Sequence, residues 1–321
     1  VGPNPTRWNE RCFSDAGHEV EVRFDLNKNP NADLVFTPVP GIEVDCLVTQ
    51  FGGYGTQLCM PERGFSPLAE KSLEESDLVT ILDPNMFLLM EQEGLDGETV
   101  TIPNATPPIN IPPKNSTGFT VLCPTTDPYG GTKRLDRFVE GAKIVGEEEP
   151  KIEFVMPIRS RRVWRSPIDW LKVENLRILP RQPFDRMLEW YGKSDVIAPF
   201  SKAEIFPQTV LEAYVAGKPL IVDQFGLIQS VHRDFLEKMT DDFGMNSSEF
   251  YQRWKKEFGS GESDHYLKAG TSKELAELVL ELYTDEKRRA ELGKNAVEWV
   301  DRFWRPRDRG ERIIDCWRES S

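Results

Sequence analysis

Two glutamates separated by seven residues, Glu204 and Glu212, are the side chains of this sequence best placed to do chemistry. Glu204 follows a short apolar run, Val196-Ile197-Ala198, that reads as a buried strand. Pro207 then suits the first position of a helix, where its missing N–H costs nothing, and Gly217 suits the stop. Glu212 lies on that helix, and a second apolar strand, Leu220 to Val222, follows Pro219. Paired carboxylates at the carboxyl end of a buried strand can accept hydrogen bonds from ribose or sugar hydroxyls, and the free N–H groups of the helix start can receive a phosphate. The same acids read equally well as solvated helix-end carboxylates favoured by the helix dipole. Glu is common in this chain, so spacing alone does not choose between the two.

The elements that must position these acids alternate along the chain. Residues Thr6 to Ala16 suit a short helix ending at Gly17, and His18 to Phe24 alternates like a strand. Short apolar strands are expected at residues 33–36, 45–50, 78–82 and 99–102, with helices at 67–76 and 84–93 between the later ones. Pro103, Pro107, Pro108, Pro112 and Pro113 then exclude a regular helix or central strand and read as a stiff interdomain linker. Beyond it the alternation resumes: strand 119–123, a loop with Gly130-Gly131, helix 133–145, strand 151–156, strand 176–179 and helix 183–193. Residues 239–270 read as an insertion. Ser272 is expected to cap a helix running to Thr284, a further helix runs from Glu286 towards Phe303, and a last one lies around Gly310–Trp317. Strands alternating with helices imply an α/β chain with parallel sheets, and two such halves joined by a hinge imply a ligand held between them.

Composition narrows the partners. The 321 residues carry a net charge of −13, and the first 113 hold 6 Lys and Arg against 18 Asp and Glu. That third repels nucleic acid and anionic lipid. Five scattered cysteines without a CxxC pair argue against a disulfide framework or zinc site and for a reducing compartment. The most apolar region, Leu78 to Met90, is broken by Asp83-Pro84 and is too short to span a bilayer, so a cytoplasmic protein without a transmembrane segment is expected. The opening Val1-Gly2-Pro3-Asn4-Pro5 reads as a loop and not as the beginning of a fold, so an initiating Met and a preceding strand are expected to be missing here.

The stretch around the two acids resembles the donor-site signature of the retaining GT-B glycosyltransferases of family GT4. Pro199, Ser201, Glu204, Phe206-Pro207, Glu212-Ala213 and Ala216-Gly217-Lys218-Pro219 match it in order. Ala16-Gly17-His18-Glu19-Val20 resembles the family's first-helix ending, Ile102-Pro103-Asn104-Ala105 its domain boundary, and Lys133 the lysine of its Lys-Gly motif. The resemblance is strongest over residues 100–235. It implies a GT-B fold, two Rossmann-like α/β domains facing across a cleft: an acceptor-side domain over 1–110, a nucleotide-sugar donor domain over 111–300, and a C-terminal helix, 301–321, returning to the first. It also implies a hexosyltransferase that moves a sugar from a UDP-, GDP- or ADP-linked donor to a hydroxyl acceptor with retention of configuration. In that reading Glu212 holds the ribose hydroxyls and Glu204 lies beside the transferred sugar. Backbone N–H groups at Phe206, Gln208, Thr209 and Val210 face sugar and diphosphate, with Pro207 starting their helix. Lys133 neutralises the departing diphosphate. No Asp-x-Asp motif occurs, consistent with a metal-independent reaction without a cofactor.

Departures from the signature mark what the resemblance leaves open. The Arg usual before the lysine is replaced by Pro124-Thr125-Thr126, with Arg134 and Lys202 as the candidate substitutes. The first loop has Gly2 and Asn4 where Gly-Gly is usual, and Thr49-Gln50 stands where a His is often found, so the acceptor-side loops are atypical. Ala105 and Arg134 stand where Gly is usual. Two rival readings follow. A transferase acting on nucleic acid or a modified base is argued for by Arg159, Arg161, Arg162 and Arg165 around Trp164, and against by the acidic first third. A non-catalytic nucleotide-sugar-binding scaffold is argued for by the N-terminal departures. His232 and His265 read as surface residues, His18 as a strand start, and Phe250, Trp254 and Phe258 as a packing stripe.

Overall fold

The computed structural model describes residues 12–20, 35–37, 47–51, 78–81, 99–101, 109–124, 133–158, 170–201, 208–223, 264–303 and 306–320. The chain divides into two compact units, Val1–Pro3 with Pro108–Phe303 in one, Asn4–Pro107 with Trp304–Ser321 in the other.

The unit holding residues 108–303 is built on six parallel strands: β5 (Phe119–Leu122), β6 (Ile152–Ile158), β7 (Leu176–Pro180), β8 (Val196–Ile197), β9 (Leu220–Asp223) and β10 (Tyr266–Ala269). All four residues of β5 and of β9 are buried, which is why they read as nearly continuous apolar runs, Thr120 and the terminal Asp223 apart: a parallel strand covered on both faces has no solvent side to alternate towards. Across the sheet the order is β10-β9-β8-β5-β6-β7. The chain therefore enters at the centre, winds outward to β7, returns to the other side of β5 and winds outward again. Connections on the two sides diverge between β5 and β8, and a doubly wound sheet opens a crevice beyond the carboxyl ends at that point.

Helices follow the strands. The helix α1 (Leu135–Glu148) lies after β5, α2 (Phe184–Lys193) after β7, α3 (Gln208–Val215) after β8, and α4 (Ser272–Thr284) after β10, followed by α5 (Glu286–Phe303). Phe138 of α1 meets Phe154 of β6 edge-on at 5.2 Å in one continuous core with Val121, Val196, Ile221 and Leu275. The cap of α4 falls one residue earlier than Ser272. Thr271 accepts from the Glu274 N–H through its hydroxyl at 3.1 Å while the Glu274 carboxylate accepts from the Thr271 N–H at 3.1 Å, a reciprocal capping box. The expected insertion over 239–270 ends inside the sheet, since its last residues form the edge strand β10.

Gly217 stops α3 in the left-handed conformation, with φ +62°. Its N–H donates to the Tyr214 carbonyl at 2.9 Å and the Lys218 N–H to the Ala213 carbonyl at 3.2 Å, the paired bonds of a Schellman ending. Gly293 of α5 lies directly on this turn: a Cβ there would fall 2.1 Å from the Gly217 carbonyl oxygen.

From residue 109 onward the Pro-rich segment is fastened to the unit it enters. Lys114 Nζ donates to both Asp195 oxygens at 2.7 Å and to the Gly118 carbonyl at 2.8 Å, and Asp195 also accepts from the Thr120 N–H at 2.9 Å. Gly192 lacks the side chain that would meet the Pro112 carbonyl. This half of the expected linker is thus a strap across the amino edge of the sheet.

The other unit has a four-stranded parallel sheet ordered β1 (Val35–Thr37), β2 (Leu47–Phe51), β3 (Leu78–Ile81) and β4 (Thr99–Thr101). Residues 12–15 are helical, and Gly17 turns the chain at φ +91°. The helix α6 (Pro306–Ser320) belongs to this unit: Ile313 and Ile314 pack with Phe13 and Leu78, and Gly310 sits against the Cys12 carbonyl. Buried Arg309 faces the Cys12 thiol, whose pKa burial raises and the guanidinium partly lowers. Cys12, Cys123 and Cys316 are all free thiols.

Candidate functional site

The carboxyl edge of the six-stranded sheet gathers polar side chains at the end of apolar strands. After β5 the chain passes buried Cys123, and after β8 it passes Ala198, Phe200 and Ser201, all buried. The helix α3 opens with Gln208 and Thr209, half-buried, and Val210, buried, and carries Glu212 in its second turn. The side-chain oxygen of Gln208 is buried and accepts no hydrogen bond. Gln208 and Glu212 are four apart and share one side of the helix.

Glu212 is only 5% exposed. The Tyr191 hydroxyl, reaching from α2, donates to its Oε2 at 2.6 Å. Burial disfavours the carboxylate and raises the Glu212 pKa to about 7, with the Tyr191 bond working the other way. The Tyr191 pKa is raised in turn, by burial first and then by the Glu212 charge and its hydrogen bond. The result is a carboxyl group poised near neutrality, an acceptor that ligand hydroxyls can draw into its ionised form.

A second cluster lies on the same edge. Asp223, the last residue of β9, is 0% exposed. Arg137 Nη1 in the first turn of α1 donates to Asp223 Oδ2 at 3.2 Å and also to the Gly270 carbonyl beyond β10. Arg134 Nε is 3.6 Å from the same carboxylate oxygen. Lys133 immediately precedes them, half-buried, its carbonyl accepting from the Leu135 N–H at 2.8 Å. Two guanidiniums thus meet one buried carboxylate at the start of a helix, next in sequence to Lys133.

No protein-family model matches the sequence, and no curated protein does at a significant level. Solved structures do match. HepE from Anabaena, determined with UDP and glucose, gives a TM-score of 0.59 at 15% identity over 84% of this chain and 70% of its own. The pneumococcal O-GlcNAc transferase GtfA, determined with UDP and GlcNAc, gives 0.61 at 15% identity over 89% of this chain and 56% of its own. Sucrose-phosphate synthase from Thermosynechococcus elongatus gives 0.55 at 15% identity, covering 85% and 67%. The chain shares its fold with the GT-B glycosyltransferases.

Of the residues expected at a GT-B donor site, the structure brings Gln208, Thr209, Val210 and Glu212 together on α3, and Lys133 with Arg134 at the start of α1. Glu204, Phe206, Pro207 and Lys202 lie outside the described residues, as do Gly2 and Asn4. The Arg159–Arg165 cluster with Trp164, His232, and the Phe250, Trp254 and Phe258 stripe lie outside them too. Thr49 and Gln50 are not loop residues. They sit within the β2 ladder, Thr49 paired with Thr37 and Val79 and Gln50 with Thr80, because the strand continues to Phe51.

His265 is not a surface residue. It is 8% exposed, stacked on Trp299 at 5.0 Å and edge-on to Tyr214 at 5.3 Å. It precedes β10, at the amino edge and away from the site, where burial lowers its pKa and Asp264, 3.1 Å from Nδ1, partly restores it. Lys218 of the Ala-Gly-Lys-Pro stretch likewise serves the fold, donating to the Gly192 carbonyl at 3.2 Å between the ends of α3 and α2.

Sequence reasoning missed Tyr191, Asp223 and Arg137. Tyr191 carries no local signal, being one more apolar position of an amphipathic helix. Asp223 did carry one: an acid closing an otherwise apolar buried strand needs a cationic partner. Among the described residues, no helix is long and apolar enough to cross a membrane.

Proposed function

We propose that this chain is a retaining glycosyltransferase of GT4 type that moves a hexose-type sugar from a nucleotide-diphosphate donor to a hydroxyl acceptor. The observation that carries the reading is the pair of buried acceptors one turn apart on α3, Gln208 and Glu212, beyond the switch between β5 and β8. Buried acceptors call for donors, and a nucleotide sugar brings hydroxyls in pairs. Fold neighbours determined with UDP support a uridine donor first.

In this reading Glu212, ionised on binding, accepts from the ribose hydroxyls. Glu204 grips the sugar beside its anomeric carbon. Backbone N–H groups of Phe206, Gln208, Thr209 and Val210 and the Lys133 ammonium meet the diphosphate, with Arg134 and Lys202 as further cations there. The bond between the anomeric carbon and the diphosphate oxygen breaks, the acceptor oxygen bonds to the same face, and the acceptor proton passes to the departing diphosphate. No enzyme nucleophile enters, and the cationic side chains supply the charge that a metal would otherwise bring. In this reading residues 111–300 hold the donor, residues 1–110 meet the acceptor, and 301–321 return to the first domain, in a cytoplasmic enzyme.

A thermal-shift panel of UDP-, GDP- and ADP-sugars tests the proposal. A donor at 100 times its Kd stabilises by about 2.7 kcal/mol, and a shift with one nucleotide class is expected. No shift with any of the three sinks the donor-site reading.

A further inference from the structure

We infer that Asp223 is a positioning residue for the diphosphate end of the donor site, holding the first turn of α1 so that its cations meet the leaving group. The inference rests on the donor-site reading above and names how that site is kept in shape.

Three elements meet at this carboxylate. Asp223 closes β9, Arg134 and Arg137 share one side of the first turn of α1, and Gly270 follows β10. Arg137 bridges two of the partners, donating to Asp223 Oδ2 at 3.2 Å and to the Gly270 carbonyl, while Arg134 Nε stands 3.6 Å from the same oxygen. Gly270 is itself held, its N–H donating to Glu274 Oε2 at 2.5 Å in the capping box of α4. The start of α1, unlike that of α4, has no side-chain cap of its own. Beside the core packing of buried Leu135, the Asp223–Arg137–Gly270 bridge ties it laterally to the ends of β9 and β10.

The sign of the charge separates positioning from attraction. An aspartate near an expected diphosphate repels it, so direct electrostatics would disfavour an acid at this place. Its complete burial against two guanidiniums gives it a different task. It fixes the geometry of the turn that Lys133 leads into, and its own charge is met by two guanidiniums. Removing the acid charge without changing its shape therefore has opposite consequences under the two accounts.

The experiment measures Kd by calorimetry for the nucleoside diphosphate that shifts wild type in the panel of UDP, GDP and ADP, and for its monophosphate. The ratio of the two isolates what the second phosphate contributes. Asp223→Asn is expected to weaken the diphosphate roughly tenfold or more, as misplacement of reacting groups does, and to leave the monophosphate nearly unchanged. Arg137→Lys keeps the charge but loses the two-way bridge, so it is expected to lower the ratio as well, and it carries the test if Asp223→Asn does not fold. An unchanged ratio, tighter diphosphate binding, or equal loss of both ligands overturns the positioning role. A wild type that binds none of the three diphosphates fails earlier and overturns the donor-site reading itself, and this inference with it.

Discussion

In a Glu212→Gln variant the Tyr191 hydroxyl keeps an oxygen to donate to, while the charge that burial disfavours is gone. The Glu212 pKa rises from the ordinary 4.5 to about 7 in the folded chain. Between those values the folded state binds more protons than the unfolded one, so the stability tied to this group is complete below pH 4.5 and is lost as pH rises through about 7. A rise of that size corresponds to about 3 kcal/mol. Glutamine does not titrate, so the variant is expected to match wild type near about pH 4.5 and exceed it at about pH 8. For a unit of this size the gain amounts to about 6–12 °C in melting temperature, taking ~2–4 °C per kcal/mol. Circular-dichroism melts at the two pH values read it directly. The same variant is expected to bind nucleotide more weakly, because an amide oxygen is a poorer acceptor for hydroxyls than a carboxylate. A variant that melts below wild type at about pH 8, or differs from it equally at both values, refutes the account of Glu212 as a desolvated, strained acceptor.

Two further outcomes probe the scaffold. Gly293→Ala sets a Cβ 2.1 Å from the Gly217 carbonyl oxygen, and the overpacking is expected to cost roughly 1–3 kcal/mol, read as a lower urea midpoint with an unchanged slope; an unshifted midpoint would mean that α5 moves away freely. His265, whose pKa burial lowers from 6.5, contributes stability that is present above pH 6.5 and lost as pH falls through its folded value. His265→Phe keeps an aromatic ring against Trp299 and is expected to lose less stability than wild type on acidification, as seen in paired melts on either side of pH 6.5; identical losses would place the acid sensitivity elsewhere.

Much of the sheet could be read from residue types because parallel strands buried on both faces leave nearly continuous apolar runs. Residues 119–123 and 220–222 are visible on that ground, 151–156 are visible through the apolar stretch that follows Glu153, and Gly217 announces the end of α3 because glycine enters the left-handed region without the cost a side chain brings. Short range also explains the misses. Tyr266–Ala269 mixes exposed and buried positions at an edge, so it lacked the run that marks a central strand. His265 was misplaced because its burial comes from Trp299 and Tyr214, both distant in sequence. At the site, Glu212 and Lys133 stood out by their neighbours in the chain. Tyr191, Asp223 and Arg137 owe their roles to pairings across α2, β9 and α1, which only the folded sheet brings into register.

The placement of α6 has a consequence for synthesis. Phe13 and Leu78 share a core with Ile313 and Ile314, residues separated from them by the whole of the other unit. A ribosome must therefore translate residues 102–305 between the last strand of the small sheet and the helix that covers it, about 10–40 s at ~5–20 residues per second. Over that interval the apolar surface around Leu78 and the Cys12 backbone awaits its partner, while the six-stranded unit can complete its own sheet. The unit whose strands emerge first is thus the last to close.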